Sequence, residues 1–127
     1  MRPSARLFIV EDEKGGFFGD GRCELLRAVM EHGSLSAAAE ALGRGYRKAW
    51  ADIRKAEEAT GLKLVVRERG GARGGSSMLT ESGERLVRAW ERYGAEVALC
   101  MERAYEIHLR EVIEGGDHGP GENEGDA

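Results

Sequence analysis

The chain of 127 residues has little of what an enzyme, a secreted protein or a membrane protein requires. Its two cysteines, Cys23 and Cys100, lie far apart, with no CxxC and no Cys/His ligand spacing. The expectation is therefore two buried thiols in a reducing compartment rather than a disulfide or a metal site. No stretch approaches the apolar length of a membrane span, and Met1-Arg2-Pro3-Ser4-Ala5-Arg6 is not followed by an apolar run of signal-peptide length. That predicts a cytoplasmic protein with no membrane partner. His32, His108 and His118 are scattered and read as helix-end or surface residues. There is no nucleophile beside a plausible base, no GxxxxGK[ST] pattern and no strand-loop-helix Rossmann fingerprint, so neither catalysis nor a cofactor is expected. Aromatics make up 6% of the residues against 33% charged, which suits a soluble, mainly helical chain. The length is ordinarily that of one domain with one modest core.

The net charge of -4 is unevenly distributed. Residues 41–80 carry nine Lys/Arg against four Asp/Glu, a balance of +5, and residues 81–127 carry five against twelve, a balance of -7. Screening at physiological salt limits the reach of exposed charge to roughly 8 Å. A basic half able to attract an anionic partner therefore coexists with an acidic half.

The most informative stretch is Gly33-Ser34-Leu35-Ser36-Ala37-Ala38-Ala39-Glu40-Ala41-Leu42-Gly43, followed by Tyr46-Arg47-Lys48-Ala49-Trp50. It reads as a short helix whose alanines permit close packing, a turn bearing Gly43 and Gly45, and a longer helix ending near Thr60-Gly61. Ser34 is the favoured N-cap of the short helix, with Ser36 the alternative. At about 100 degrees per residue, Tyr46, Trp50, Ile53 and Glu57 share one side with Ala49 and Ala56. Arg47, Lys48, Ala51, Arg54 and Lys55 share the other. A solvated surface face is the bland reading of those cations. The tight turn before them and the Gly-rich basic segment after them favour a helix that enters a DNA major groove.

Before this motif, Leu7–Val10 is a strand candidate closed by Glu11-Asp12-Glu13-Lys14, with Gly15-Gly16 as the turn and Phe17-Phe18 as a short return. A first helix runs from about Gly21 to Met30 and ends at His32-Gly33. After the motif, residues 64–69 and 77–80 are predicted to form a hairpin around the flexible loop 70–76, which is a wing. Its arginines suit contact with a DNA backbone or minor groove, although a merely loose hairpin tip is the alternative.

Thr80 is expected to cap a long helix over 81–114. Leu86, Trp90, Tyr93, Val97, Cys100, Ala104 and Ile107 follow one another in steps of four and three, which places them on one seam. Such a helix would extend roughly 50 Å, beyond a winged domain of this size. Pairing with a second copy through those seven residues is the expectation, and a break near Gly94 that folds the helix back is the alternative. The tail 115–127, rich in Gly, Glu and Asp, is expected to be disordered. The predicted architecture is therefore mainly α with small β, a winged helix-turn-helix. Residues 1–80 form the DNA-binding part, including an N-terminal strand or hairpin, and 81–114 form a dimerisation helix of the same unit.

These residues resemble the N-terminal DNA-binding domain of ModE-type molybdate-responsive regulators. The resemblance rests on Gly33–Ala39, Leu42-Gly43, the Tyr46-Arg47-Lys48-Ala49-Trp50 run, the Gly-rich wing and Leu79-Thr80-Glu81-Ser82-Gly83. It covers about residues 7–110, and LysR-type regulators share a looser version of the fold. It implies a winged helix-turn-helix that dimerises through its last helix and binds palindromic operator DNA. Two features depart from the family. Gly45 stands where a Ser usually precedes the Tyr, so a side-chain phosphate contact is missing there. The acidic tail stands where full-length members carry molybdate-binding domains, so the expectation is a regulator without its own oxyanion site; a signal arriving from a separate oxyanion-binding or redox sensor protein is one further reading.

The site predicted from all this comprises Arg47 and Lys48 on base edges and Arg54 and Lys55 on phosphates. Ser34, Ser36, Arg44, Tyr46, Ala51, Arg69 and Arg73 complete the surface facing double-stranded DNA. A winged module that binds proteins and does not bind DNA on its own is the rival reading.

Overall fold

The computed structural model describes residues 1–13, 15–68 and 76–115. The elements are β1 (Phe8–Glu11), β2 (Gly15–Gly19), α1 (Asp20–His32), α2 (Leu35–Ala41), α3 (Tyr46–Thr60), β3 (Val65–Glu68), β4 (Ser76–Leu79), α4 (Glu81–His108) and α5 (Arg110–Ile113). Two antiparallel two-stranded sheets, β1-β2 and β3-β4, accompany the helices. Among the described residues no helix is long and apolar enough to cross a membrane.

The chain forms two compact units. The larger, Arg6–Tyr93, contains a single core. α1 contributes Cys23, Leu25, Leu26, Ala28 and Val29, and α2 contributes Leu35, Ala38 and Ala39. α3 contributes Ala49, Ile53 and Ala56, and the second hairpin with its approach contributes Leu64, Val65 and Leu79. The small side chains on α2 and α3 are what allow three helices to share so modest a core. Val87 and Trp90 of α4 belong to this core as well.

Local sequence sets the joints. Gly33 and Gly61 end α1 and α3 in the left-handed conformation, each donating its N–H back to the helix, to Val29 and Glu57 respectively. The Ser34 hydroxyl accepts the Ala37 N–H at 3.0 Å, so Ser34, not Ser36, caps α2. The turn into α3 uses Gly43 at φ 68, while Gly45 is extended at φ -70 and caps α3 without a side-chain bond. Thr80 caps α4 by accepting the Gly83 N–H at 2.9 Å, and its own N–H bonds Leu64 O at 2.9 Å. The first turn of α4 lies so close to β3 that a Cβ on Gly83 would stand 2.4 Å from Leu64 O.

Several expectations shift. β2 begins at Gly15, so the glycine pair belongs to the strand and the turn precedes it. α4 runs unbroken through Gly94 and ends at His108, where Leu109 separates it from the short α5. Cys23 is buried, but Cys100 is exposed, because it lies on the part of α4 past the core. The smaller unit comprises residues 1–5 with the described residues from 94 onward. Within it Tyr105 is buried, its hydroxyl donates to Glu114, and Arg110 lies 5.1 Å over its ring while pairing with Glu106 and Glu114. The glycine loop 70–75, Arg69, Arg73 and the tail after Gly115 lie outside the described residues.

Candidate nucleic-acid interface

α3 presents two faces, as its periodicity requires. Ala49, Ile53 and Ala56 are buried, and Arg47, Lys48, Ala51, Arg54 and Lys55 are all exposed on the other side. None of the four cations among them forms an ion pair among the described residues. Unpaired exposed cations on one rigid helix make a ridge of positive potential open to an anionic partner.

Buried polar contacts hold the ridge in place. Arg22 of α1 pairs with Asp52 of α3 at 3.2 Å and also donates to Phe17 O, with both side chains of the pair about four-fifths covered. At the far end of α3, Glu57 Oε2 accepts Leu64 N at 2.8 Å and Val65 N at 3.3 Å. α3 is thus tied to α1 on one side and to the hairpin on the other. That satisfies backbone donors where a strand begins, which an apolar residue at 57 would leave unpaired.

Other predicted site residues are placed differently. Trp50 packs against the core as a half-buried residue, whereas Tyr46 stands outside it. Tyr46 is 44% exposed and Trp50 half-buried, because the small Ala49 and the branched Ile53 fill the interior beside them. Arg44 is turned back onto α1, donating to Gly21 O at 3.0 Å and pairing with Glu24 at 2.8 Å. It fixes the turn and is not a free cation. Ser36 is exposed, whereas the hydroxyl of Ser34 is occupied by its cap. Arg67, which the sequence reading passed over, stands on β3 with its guanidinium 4.8 Å over the Trp50 ring and its Nη2 donating to the Tyr46 hydroxyl at 3.1 Å. Its position two residues before the predicted Arg69 is the one signal the sequence offers for it.

The seam of α4 divides into two stretches. Trp90 is buried against Phe18, with ring centroids 5.2 Å apart, and donates its indole N–H to Asp20; Leu86 packs on the same core. Trp90 is thus covered within its own unit, and Leu86 partly so. Beyond them Tyr93, Cys100, Ala104 and Ile107 are exposed and Val97 is half-buried.

No group of three or more His, Cys, Asp or Glu suited to a metal occurs among the described residues.

Comparison with known proteins follows the same segment. The family of bacterial regulatory helix-turn-helix proteins of lysR type matches residues 21–84, from α1 to the start of α4. The chain is 32% identical over 110 residues to molybdenum-pterin-binding protein MopB of Rhodobacter capsulatus, covering 84% of this chain and 41% of that one. It is 33% identical over 108 residues to molybdenum transport protein ModE of Azotobacter vinelandii, covering 85% and 39%. It is 30% identical over 86 residues to the DNA-binding transcriptional dual regulator ModE of Escherichia coli K12, covering 68% and 31%. A crystal structure of ArgP from Mycobacterium tuberculosis is similar over 62% of this chain and 28% of its own, at 29% identity and a TM-score of 0.48. The chain thus spans about two fifths, or less, of the length of these curated relatives. With half of its residues matched by the family model, from the first helix through the wing, the chain belongs to the lysR family of bacterial regulatory helix-turn-helix proteins.

Proposed function

We propose that this chain is the DNA-reading part of a transcription regulator that binds a palindromic operator as a homodimer. The carrying observation is the exposed ridge of Arg47, Lys48, Arg54 and Lys55 on one face of α3, without an ion pair among the described residues. In this reading α3 enters the major groove, with Arg47 and Lys48, near its N-terminus, meeting base edges; Arg with guanine is the commonest specific pairing. Arg54 and Lys55, two turns further along, meet phosphates and set the register of the helix on the duplex. Arg69 and Arg73 extend the contacts from the wing, and Ser36 and Ala51 flank the ridge.

The dimer follows from α4. Exposed apolar residues past Tyr93, among them Ile107 at 63% exposure, gain burial when a second copy of the helix covers them. A two-fold pair of recognition helices reads two half-sites of opposite orientation, which is why an inverted repeat is the expected operator. The relative named a DNA-binding transcriptional dual regulator supports the reading, and the molybdenum in the relatives' names makes molybdate the first effector to add.

Selection of genomic fragments bound by the purified protein tests the proposal. The expected outcome is enrichment of an inverted repeat, with binding that falls steeply with salt. Recovery of fragments with no shared site, or binding indifferent to salt, would overturn it.

A further inference from the structure

Two guanidinium groups converge on one indole. Arg67 lies 4.8 Å and Arg54 5.7 Å from the centre of the Trp50 ring, both within the range of a cation–π contact. Neither forms an ion pair among the described residues. Arg67 also donates to the Tyr46 hydroxyl, which leaves the phenolic proton available to an acceptor. Tyr46, Arg54 and Arg67 are all exposed, while the Trp50 Nε1 is buried with no hydrogen-bond partner among the described residues. The ring is therefore positioned by packing and stacking, without a polar anchor of its own. Two like charges held against one ring repel each other. An anion is the partner this arrangement lacks, and the donors on offer, two planar forks and a phenol, match phosphate oxygens.

We propose that Tyr46, Arg54 and Arg67, assembled around Trp50, form a backbone-phosphate site that ties the wing to the recognition helix when duplex DNA docks. The inference rests on the DNA-binding reading above and adds to it a contact on β3 made by Arg67. The Trp50 ring is the platform: it holds a cation from the hairpin and a cation from α3 on a common support, so both meet the DNA backbone in a fixed relation. Because the ring has no polar anchor, a change in the Arg67 contact alters its surroundings, and its emission reports docking.

The test is anisotropy titration of the full chain against an operator duplex and a scrambled duplex over a series of salt concentrations, with tryptophan emission recorded in parallel. Arg67→Ala is expected to weaken both duplexes by roughly tenfold and to reduce the salt slope by about one. Arg67→Lys, which keeps the charge, is expected to restore the slope. Tyr46→Phe is expected to weaken binding in the wild-type background and to have no further effect in Arg67→Ala. DNA should change the emission of the wild type, and Trp50→Phe should abolish that change. A wild-type slope and affinity in Arg67→Ala, with circular dichroism showing it folded, would overturn the phosphate site while leaving the regulator reading in place. Should Arg67→Ala unfold, an unchanged slope in Arg67→Gln would overturn it equally. Failure of the wild type itself to bind either duplex would instead remove the DNA-binding reading on which the site depends.

Discussion

The indole N–H of Trp90 on α4 donates to the carboxylate of Asp20 at the start of α1, at 2.8 Å and across 70 residues of sequence. The other oxygen of the same carboxylate accepts the Leu7 N–H at 2.7 Å. One side chain thus joins the N-terminal segment, the first helix and the long helix, and it sits within the first turn of α1, where negative charge is favoured. Burial raises the Asp20 carboxyl, but the bonds from Leu7 and Trp90 and the charges of Arg6 and Arg27 outweigh it and hold it below its ordinary value.

A group whose folded value is lowered stabilises the fold above its unfolded value and loses that contribution as pH falls through the folded one. The Asp20 contribution is therefore complete above about pH 4 and disappears below it. Asp20→Asn is expected to cost about 1–3 kcal/mol at neutral pH, and the gap from wild type should close in acid. Urea unfolding midpoints across the pH range check this. A gap that stays constant into strong acid would remove Asp20 from the role.

Two glycines of α4 should respond oppositely to alanine. At Gly83 the new Cβ would meet Leu64 O at 2.4 Å, a backbone atom that cannot swing aside. Gly83→Ala is expected to lose about 1–3 kcal/mol. At Gly94 a Cβ would meet nothing within 4 Å, and Gly94→Ala is expected to gain about 0.5–1 kcal/mol from a better helix former. Thermal melts of the two variants decide, and a loss of stability at both positions would contradict the packing described for α4.

The α4 seam also makes a split prediction. Trp90→Ala removes a ring packed on Phe18 and leaves Asp20 short of a donor, so it should cost about 3–5 kcal/mol of fold stability. Ile107→Glu should leave the winged unit folded and convert a dimer to monomers, because that side chain is 63% exposed. Sedimentation velocity with parallel circular dichroism separates the two. A dimer unaffected by Ile107→Glu would place the pairing surface elsewhere.

What could be read from residues alone was local. The Ser34 cap, the glycine stops at 33 and 61 and the cationic face of α3 follow from spacing of a few residues, and the structure has each of them. Long-range pairings were not legible. Asp20 with Trp90, Arg22 with Asp52 and Glu57 with Leu64 depend on elements brought together by the fold. Periodicity placed Trp90 correctly on an apolar face of α4 but could not say that Phe18 of the same chain would occupy it. The same limit hid the pairing of Arg44: its charge was visible, and its partner Glu24 on α1 was not.

The most direct test of the account is the affinity of Arg47→Ala for the selected operator and for a scrambled duplex at fixed salt. A loss of about 1–3 kcal/mol on the operator, with little change on the scrambled sequence, is the predicted result. Equal losses on both duplexes, or no loss on either, would contradict a base-reading role for the exposed ridge of α3.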